Sequence, residues 1–246
     1  MQSALNFSAY RFVALTDLAD WRRRVLARAA AAHLLGTVLL AEEGINLFLA
    51  GREPDLRAFW IWLTAQAPFV GLPATESWSA SAPFRKLRVK VKAEIIRMNR
   101  PTIRPQAQRA PQVDPVTLAR WLDQGADDTG RPVVTLDTRN AFEVAHGRFA
   151  GAVDWQLAMF SDFPRALAER RSELEGKTVV SYCTGGIRCE KAALLMAEAG
   201  IADVYQLDGG ILKYFERVGG QHFIGNCFVF DERITLSDTL APAEGA

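Results

Sequence analysis

The 246-residue sequence has few of the residues that build disulfide scaffolds and metal centres. Its three cysteines and three histidines are Cys183, Cys189, Cys227, His33, His146 and His222. No two cysteines form a CxxC pair, and no two histidines stand at metal-ligand spacing. These absences argue against a disulfide-rich secreted domain and against a zinc or iron site. The sequence therefore predicts reduced thiols and no metal site.

Long apolar runs and an excess of one charge are missing as well. The apolar stretches are far shorter than a membrane span, and the N-terminus lacks the basic and apolar regions of a secretory signal. Because 29 basic and 28 acidic residues leave a net charge of +1, the overall charge indicates no partner. The sequence predicts a cytoplasmic protein of two domains, without a membrane partner or an evident obligate protein partner.

Residues 1–98 show the order β-α-β-β-α-β. The predicted strands are Tyr10–Leu15, Thr37–Ala41, Ile45–Ala50 and Phe84–Met98. One predicted helix covers Leu18–Leu35, and a second begins at Pro54 and carries Leu56, Phe59, Trp60 and Leu63. This order is typical of a ferredoxin-like domain, with both helices on one face of an antiparallel sheet and the other face open.

The last of these predicted strands carries a stripe of cations. Leu87, Val89 and Val91 alternate with basic residues, and a period of two places the two sets on opposite faces. We call the following residues the basic stripe: Arg85, Lys86, Arg88, Lys90 and Lys92. The stripe predicts either contact with the phosphate backbone of RNA or protection of a sheet edge against aggregation.

A predicted linker, residues 99–112, contains Pro101, Pro105 and Pro111 and has no periodicity. In residues 113–220, strands alternate with helices, which predicts an α/β domain with a mainly parallel sheet. The predicted strands are Val133–Asp137, Val179–Tyr182 and Val204–Leu207, and the predicted helices start near Pro115, Asp162, Glu190 and Ile211. Residues 221–246 are predicted to form an extended segment and a disordered tail, Ala241–Ala246.

Cys183 stands one residue beyond a predicted strand, where ligand sites of parallel sheets lie. Gly185 and Gly186 let the loop turn its N–H groups inward, Arg188 adds a fixed cation, and a helix follows. Such a site lowers the pKa of a thiol, so Cys183 is the candidate nucleophile. The four residues between Cys183 and Arg188 indicate a sulfur-sized occupant.

Four further residues have less specific interpretations. Cys189, in the first turn of the following helix, is either a packing residue or a resolving thiol. Cys227 lacks a cationic or glycine-rich context and is interpreted as structural. Arg139 and Glu143 are four residues apart, and we expect them to pair on one helical turn and to brace the domain.

Two groups of motifs carry a resemblance to known families. Leu136–Asn140, Glu143, Gly147–Ala152 and the loop Cys183–Arg188 resemble the rhodanese signatures, although Arg148 and Phe149 replace the usual His and Ile. A wider set resembles the oxygen-dependent tRNA uridine hydroxylases: Tyr182–Ala192, Ala41–Asn46, Phe84–Lys92 and Phe228–Asp231. In two departures from that family, Leu47 and Phe48 follow Asn46, and a cysteine-rich C-terminal extension is missing.

The resemblance implies a rhodanese-like second domain and conversion of the wobble uridine of tRNA to 5-hydroxyuridine. It implies molecular oxygen as co-substrate, tRNA as partner held by the basic stripe, and Cys183 as the essential residue. The active-site loop would then comprise Thr184, Gly185, Gly186, Ile187 and Arg188. No cofactor is identifiable, because the sequence has neither a two-His-one-carboxylate set nor a dinucleotide fingerprint.

The alternative function is a rhodanese-type sulfurtransferase that carries a persulfide on Cys183. It uses the loop chemistry directly but assigns no role to the first domain. Phosphatases on the same scaffold have five residues between cysteine and arginine, so the four found here argue against that activity. The intact Cys–Arg loop also argues against a non-catalytic RNA-binding or signalling module.

Overall fold

The computed structural model describes residues 3–243. It divides into two compact units. The N-terminal unit comprises the chain up to Arg97 together with Phe230–Arg233, and the C-terminal unit comprises Met98–Val229 and the chain from Ile234 on. Each unit has its own sheet and its own apolar core.

The N-terminal unit is a mixed five-stranded sheet with two helices. Its elements are β1 (Ala4–Phe12), α1 (Leu18–Ala31), β2 (Leu35–Ala41), β3 (Gly44–Gly51), α2 (Glu53–Thr64), a 3-10 turn (Ala67–Phe69), β4 (Thr75–Ser79) and β5 (Leu87–Val91). The strand order is β4-β1-β3-β2-β5. Alternate residues of the central strands, such as Val38, Leu40 and Leu47, are fully buried in the apolar core that the sheet forms with both helices. The predicted ferredoxin-like class is confirmed.

The structure corrects the identity of the strand that completes the β-α-β-β-α-β order. That strand is β4, which pairs antiparallel with β1 and which the sequence analysis missed. β4 is polar and lies at a sheet edge, so it lacks the apolar alternation that reveals a strand. The predicted basic strand is a fifth strand, limited to Leu87–Val91, and it pairs parallel with β2 at the opposite edge.

Other boundaries of the N-terminal unit also differ from the predictions. β1 begins at Ala4 rather than Tyr10, since Leu5 and Phe7 already alternate with polar residues. α1 ends at Ala31 rather than Leu35, because His33 takes a left-handed conformation (φ 51°) that turns the chain into β2. Val91 was expected on the core face but is 42% exposed.

The C-terminal unit is an α/β fold around a five-stranded parallel sheet. Its main elements are β6 (Gln112–Val113), α3 (Pro115–Gln124), β7 (Val133–Asp137), α4 (Ala141–Val144), β8 (Gly147–Phe149), β9 (Val153–Asp154), α5 (Phe163–Arg170), β10 (Thr178–Tyr182), α6 (Ile187–Glu198), β11 (Val204–Leu207) and α7 (Gly210–Val218). The chain continues with β12 (Phe223–Gly225), β13 (Cys227–Phe228) and β14 (Thr235–Leu236). The sheet order is β6-β11-β10-β7-β9, with parallel pairing throughout.

The centre of this sheet is β10, which the apolar run in the sequence predicts correctly. All five of its residues are buried, as expected for a strand covered on both faces. The helix after it begins at Ile187, three residues before the predicted Glu190, so Arg188 lies in the first turn of α6 rather than in the loop. β6 occupies the end of the stretch predicted as linker, where Val113 pairs with Leu207.

Two further expectations concern the ends of helices and of the chain. The helix predicted to start near Asp162 is an α-helix from Phe163 to Arg170, followed by a 3-10 turn to Leu174. Of the predicted disordered tail, Ala241 and Ala243 hydrogen-bond to Ser237 and Thr235, and residues 244–246 lie outside the described residues. Among residues 3–243, no helix has the length and hydropathy needed to cross a bilayer.

Candidate active site

The loop that joins β10 to α6 wraps around the sulfur of Cys183. Cys183 directly follows β10, is fully buried, and its Sγ accepts a hydrogen bond from the Gly186 N–H at 3.1 Å. Gly186 has a φ of 96°, which places the start of α6 over the sulfur. The helix N-terminus and the loop N–H groups therefore favour negative charge on Sγ.

A second helix holds the carbonyl groups of the same loop. The N–H groups of Ile211 and Leu212, in the first turn of α7, donate to the carbonyl oxygens of Cys183 and Thr184 at 2.9 and 3.1 Å. Gly210 allows this close approach, because a Cβ at this position would lie 2.4 Å from the Cys183 oxygen. With their carbonyls bound to α7, these loop residues do not present oxygen atoms to the sulfur.

Arg188 is held by a buried carboxylate. Its two terminal nitrogens donate to the two oxygens of Glu143 at 2.6 and 2.8 Å, and both side chains are buried. Glu143 also accepts the backbone N–H of Asn140 at 3.0 Å, as part of a capping box of α4. Arg188 therefore has a fixed orientation, and its charge stays close to Cys183.

The expected pair between Arg139 and Glu143 is wrong. Arg139 instead forms a fully buried ion pair with Asp137 at 2.6 Å and donates to the Gly147 carbonyl at 2.6 Å. Asp137 ends β7, and Arg139 lies in the turn before α4 begins. Arg139 and Glu143 are therefore not on the same helix, although they are four residues apart. The Arg139–Asp137 and Arg188–Glu143 ion pairs both brace the region around the loop, although Arg139 and Glu143 were expected to pair with each other.

Competing effects set the pKa of Cys183. Burial opposes ionisation of the thiol, but a hydrogen bond from Cys189, the charge of Arg188 and the N–H groups of Arg188 and Gly186 together lower the pKa well below that of a free cysteine. The thiolate is the nucleophilic form of cysteine. Cys183 therefore has the protonation state that a nucleophile or a sulfur carrier requires.

Cys189 is the hydrogen-bond donor to that thiolate. It is fully buried, its sulfur lies 3.6 Å from Thr138 Oγ1, and burial and the neighbouring Cys183 raise its pKa well above the ordinary value. The thiol of Cys189 thus stays protonated while Cys183 ionises. The complete burial of Cys189 agrees with the interpretation as a packing residue, and the resolving thiol stays a prediction.

We expect removal of the Cys189 thiol to raise the pKa of Cys183. In Cys189→Ala the thiolate loses a donor, so its titration midpoint moves up towards about 8.5, the value of an unperturbed cysteine. Cys189→Ser keeps a donor and gives a smaller shift. The measurement is the thiolate absorbance of each protein as a function of pH, minus that of the same protein lacking Cys183. An unshifted midpoint in Cys189→Ala would contradict the assignment.

Cys227 remains apart from this chemistry. It lies in β13, it is fully buried, and burial raises its pKa to about 12. All three cysteines are free thiols. Within residues 3–243, no group of three or more His, Cys, Asp or Glu side chains is arranged to hold a metal ion.

The basic stripe lies in the N-terminal unit, on and beside the edge strand β5. Arg85 is largely exposed and pairs with Glu232 at 2.7 Å. The other four residues are exposed and have no ion pair among residues 3–243. Arg22 Nε donates to the Val89 carbonyl at 3.1 Å and so covers part of the free strand edge. The edge position agrees with edge protection, and the unpaired cations agree with RNA contact.

Two contributors to the loop were missed or misassigned from the sequence. For Gly210 the sequence contains a signal, since a Gly-Gly pair follows the strand β11 after the single residue Asp208. Glu143 was singled out, but its partner Arg188 is 45 residues away in the chain, and only the fold brings the two together.

Comparison with known proteins matches each of the two units to a known domain family. Residues 4–95 match the UPF0176 acylphosphatase-like domain, and residues 118–217 match the rhodanese-like domain. A tRNA uridine(34) hydroxylase of Bordetella petrii is 62% identical over 99% of this chain and 96% of its own length. Proteins of the same name from Bordetella pertussis and Variovorax paradoxus are 59% and 57% identical, over 98% of this chain and 99% and 92% of their own lengths. By similarity over nearly its whole length, the chain belongs to the tRNA uridine(34) hydroxylase family.

Proposed function

We propose that this protein is an enzyme that hydroxylates uridine 34, the wobble uridine of tRNA, to 5-hydroxyuridine, with Cys183 as the essential residue. The observation that carries the proposal is the 62% identity, over 99% of the chain, to a protein named tRNA uridine(34) hydroxylase. We infer a cytoplasmic location, because tRNA is used in the cytoplasm. Nothing in this assignment requires a further protein partner.

The site supports this activity because it keeps the sulfur of Cys183 ionised. Cys183 is ionised at neutral pH, because its lowered pKa keeps the proton off until the solution becomes acidic. Gly186 N–H and the Arg188 charge hold the thiolate in place. The protein thus offers a fixed, desolvated nucleophile. We assign its positioning to Thr184, Gly185 and Gly186 of the loop and to Ile187 and Arg188 in the first turn of α6.

We propose molecular oxygen as the source of the new hydroxyl group, which the hydroxylase name of the relatives supports. The experiment uses cells from which the gene is deleted, with and without the restored gene. Digested tRNA from the deletion strain should lack 5-hydroxyuridine and its derivatives, and the gene should restore them. In cells grown under heavy-isotope O2, mass spectrometry should find one heavy oxygen in the nucleoside. Unchanged nucleosides after deletion would refute the function, and label arriving only from water would refute the oxygen source.

The sulfurtransferase alternative rests on the same loop. The N–H groups that stabilise a thiolate would also stabilise a persulfide on Cys183, which carries equal charge. Transfer of sulfur from thiosulfate to cyanide by the purified protein, together with unchanged tRNA nucleosides in the deletion strain, would favour this alternative. Loss of 5-hydroxyuridine in that strain favours the hydroxylase.

We assign the basic stripe to tRNA binding and expect charge reversal there to weaken it. Lys86→Glu combined with Lys90→Glu removes at least two phosphate contacts, which should lower the slope of log Kd against log salt by about 1.5. Arg165→Glu with Arg170→Glu, on exposed positions of α5, is the control with the same change of net charge. The measurement is tRNA binding over a salt series. If both double variants bind like the parent, the stripe only protects the sheet edge.

A further inference from the structure

One large apolar ring of the N-terminal unit lies on the face of the sheet that is turned away from the two helices. Leu47 and Leu49 of β3 are fully buried in the core that the sheet forms with α1 and α2. Because successive side chains of a strand point to opposite faces, Phe48 between them lies on the other face. Phe48 is partly exposed and is not part of that core.

The strand register places Phe48 in the middle of a row of side chains that crosses the whole sheet. Residues that lie directly opposite one another on neighbouring strands share a face. The pairs are Thr75–Ser8, Ser8–Phe48, Phe48–Thr37 and Thr37–Arg88. We call Thr75, Ser8, Phe48, Thr37 and Arg88 the cross-sheet row. It takes one residue from each strand, in the order β4-β1-β3-β2-β5.

The neighbours of Phe48 in this row are hydroxyl groups. Ser8 and Thr37 lie opposite Phe48 on the two flanking strands, so their Cβ atoms are about 5 Å from its own. Within residues 3–243, the two hydroxyls form no hydrogen bond, and the ring of Phe48 forms no aromatic or cation–π pair. All three side chains are partly exposed. The row therefore offers a ring for stacking, with hydrogen-bonding groups on both sides of it.

Cations flank the same face at its β5 edge. Arg88 ends the cross-sheet row, and Lys86 and Lys90 stand two residues before and after it, on the same face. All three are exposed, and none has an ion pair among residues 3–243. Since β2 alone separates β3 from β5, Phe48 and Arg88 are about 10 Å apart along the row. A single-stranded nucleic acid has the matching arrangement, a flat base beside an anionic phosphate.

The rest of this face is largely covered by the N-terminal unit itself. Asn46, two residues before Phe48, is buried and donates to the Ile95 carbonyl at 3.3 Å. Asn6 of β1 is also buried and donates to Ser79 Oγ at 2.9 Å. The accessible part of the face is thus centred on Phe48. Protection of a sheet edge does not explain this ring, because β3 is the central strand.

We propose that the cross-sheet row binds single-stranded RNA of the tRNA anticodon loop, with one base stacked on Phe48 and the neighbouring phosphates at the β5 cations. The inference rests on the proposed function, which supplies tRNA as the ligand. Aromatic side chains on an open sheet face are a general means of binding single-stranded RNA. Stacking tolerates any base, so Phe48 contributes affinity, whereas the cations make binding depend on salt.

The test compares Phe48→Ala with the parent in binding of an anticodon stem-loop RNA over a salt series. Loss of one base–aromatic stack should weaken binding about 5- to 150-fold at every salt concentration. The slope of log Kd against log salt should stay at the parental value, because Phe48 neutralises no phosphate. The double variant Lys86→Glu with Lys90→Glu should lower that slope. An unchanged slope with weaker binding therefore distinguishes stacking from a disturbed cationic edge.

A second measurement detects the stack itself. Stem-loops carry 2-aminopurine, a fluorescent base, at one loop position at a time. The parent should quench the fluorescence at one position by stacking, and Phe48→Ala should abolish that quenching. Phe48→Tyr keeps a ring and should retain the quenching, whereas Phe48→Leu keeps apolar bulk and should not.

An aromatic residue on the other face of the same sheet provides the control. Trp78 of β4 is 43% exposed and pairs with Leu5, which is buried in the core with the helices. Trp78→Ala should bind and quench as the parent does. Thermal unfolding shows whether each variant is folded, and if Phe48→Ala is not, Phe48→Leu carries the test.

Different results overturn the two proposals. Parental affinity and quenching in a folded Phe48→Ala or Phe48→Leu would overturn the stacking proposal and leave the hydroxylase assignment intact. A changed oligomeric state of such a variant, with parental RNA binding, would also overturn it and would mean that the row binds protein. Quenching that Phe48→Ala loses, in a protein whose deletion changes no tRNA nucleoside, would support stacking and overturn the hydroxylase assignment.

Discussion

Cells that carry Cys183→Ala in place of the parent gene should contain no 5-hydroxyuridine or derived nucleosides in tRNA. The substitution removes the thiolate that the Gly186 N–H, the Cys189 thiol and the Arg188 charge all stabilise. Cys183→Ser should fail as well, because a hydroxyl group stays protonated where a thiol with a lowered pKa ionises. The measurement is nucleoside mass spectrometry of digested tRNA from the complemented deletion strain.

The third cysteine provides a matched control for this experiment. Cys227→Ala also removes a buried thiol from the C-terminal unit, but a thiol whose pKa is raised to about 12 does not act as a nucleophile. This variant should keep the modification. If Cys183→Ala is folded and still restores 5-hydroxyuridine, the essential role of the loop sulfur is refuted.

Replacing Glu143 should cause a large loss of stability. In Glu143→Leu, the guanidinium of Arg188 loses both of its carboxylate contacts while it remains buried. Breaking a buried ion pair on one side costs about 3–5 kcal/mol, which lowers the melting temperature by roughly 6–20 °C. Thermal unfolding followed by circular dichroism measures the effect.

Two comparisons identify the cause of that loss. Glu175→Leu changes an exposed acid of the same unit, which lies 3.8 Å from Arg171, and should melt close to the parent. Glu143→Leu combined with Arg188→Met removes both charges and should recover much of the stability, because no unpaired charge stays buried. A double variant no more stable than Glu143→Leu would show that the loss comes from packing or from the capping box of α4.

The parts of the fold that depend only on neighbouring residues in the sequence could be predicted without the structure. β10 has no charged residue and no glycine or proline, and Cys183 follows its end directly, so the position of the candidate nucleophile needed no structure. The cap of α3 is similarly local: Asp114 accepts the N–H groups of Val116 and Thr117, with Pro115 in the first turn.

The remaining features depend on contacts between distant residues. β4 is polar, and only its pairing with β1 makes it a strand. The basic strand was placed fourth in the ferredoxin-like order, because no local signal shows that it pairs with β2 at the far edge. For Glu143, the sequence offered Arg139 four residues away, but the folded chain supplies Arg188.

The path of the chain through the N-terminal unit has a consequence for synthesis on the ribosome. Residues Phe230–Arg233 belong to this unit, although the C-terminal unit is almost complete before them in the sequence. Arg233 donates to Ser77 Oγ at 2.8 Å, and the Glu232 N–H donates to the Pro83 carbonyl at 3.1 Å. Domains usually fold in order as they emerge, the N-terminal one first. Here the first unit to emerge acquires its last contacts only after most of the C-terminal unit has been synthesised.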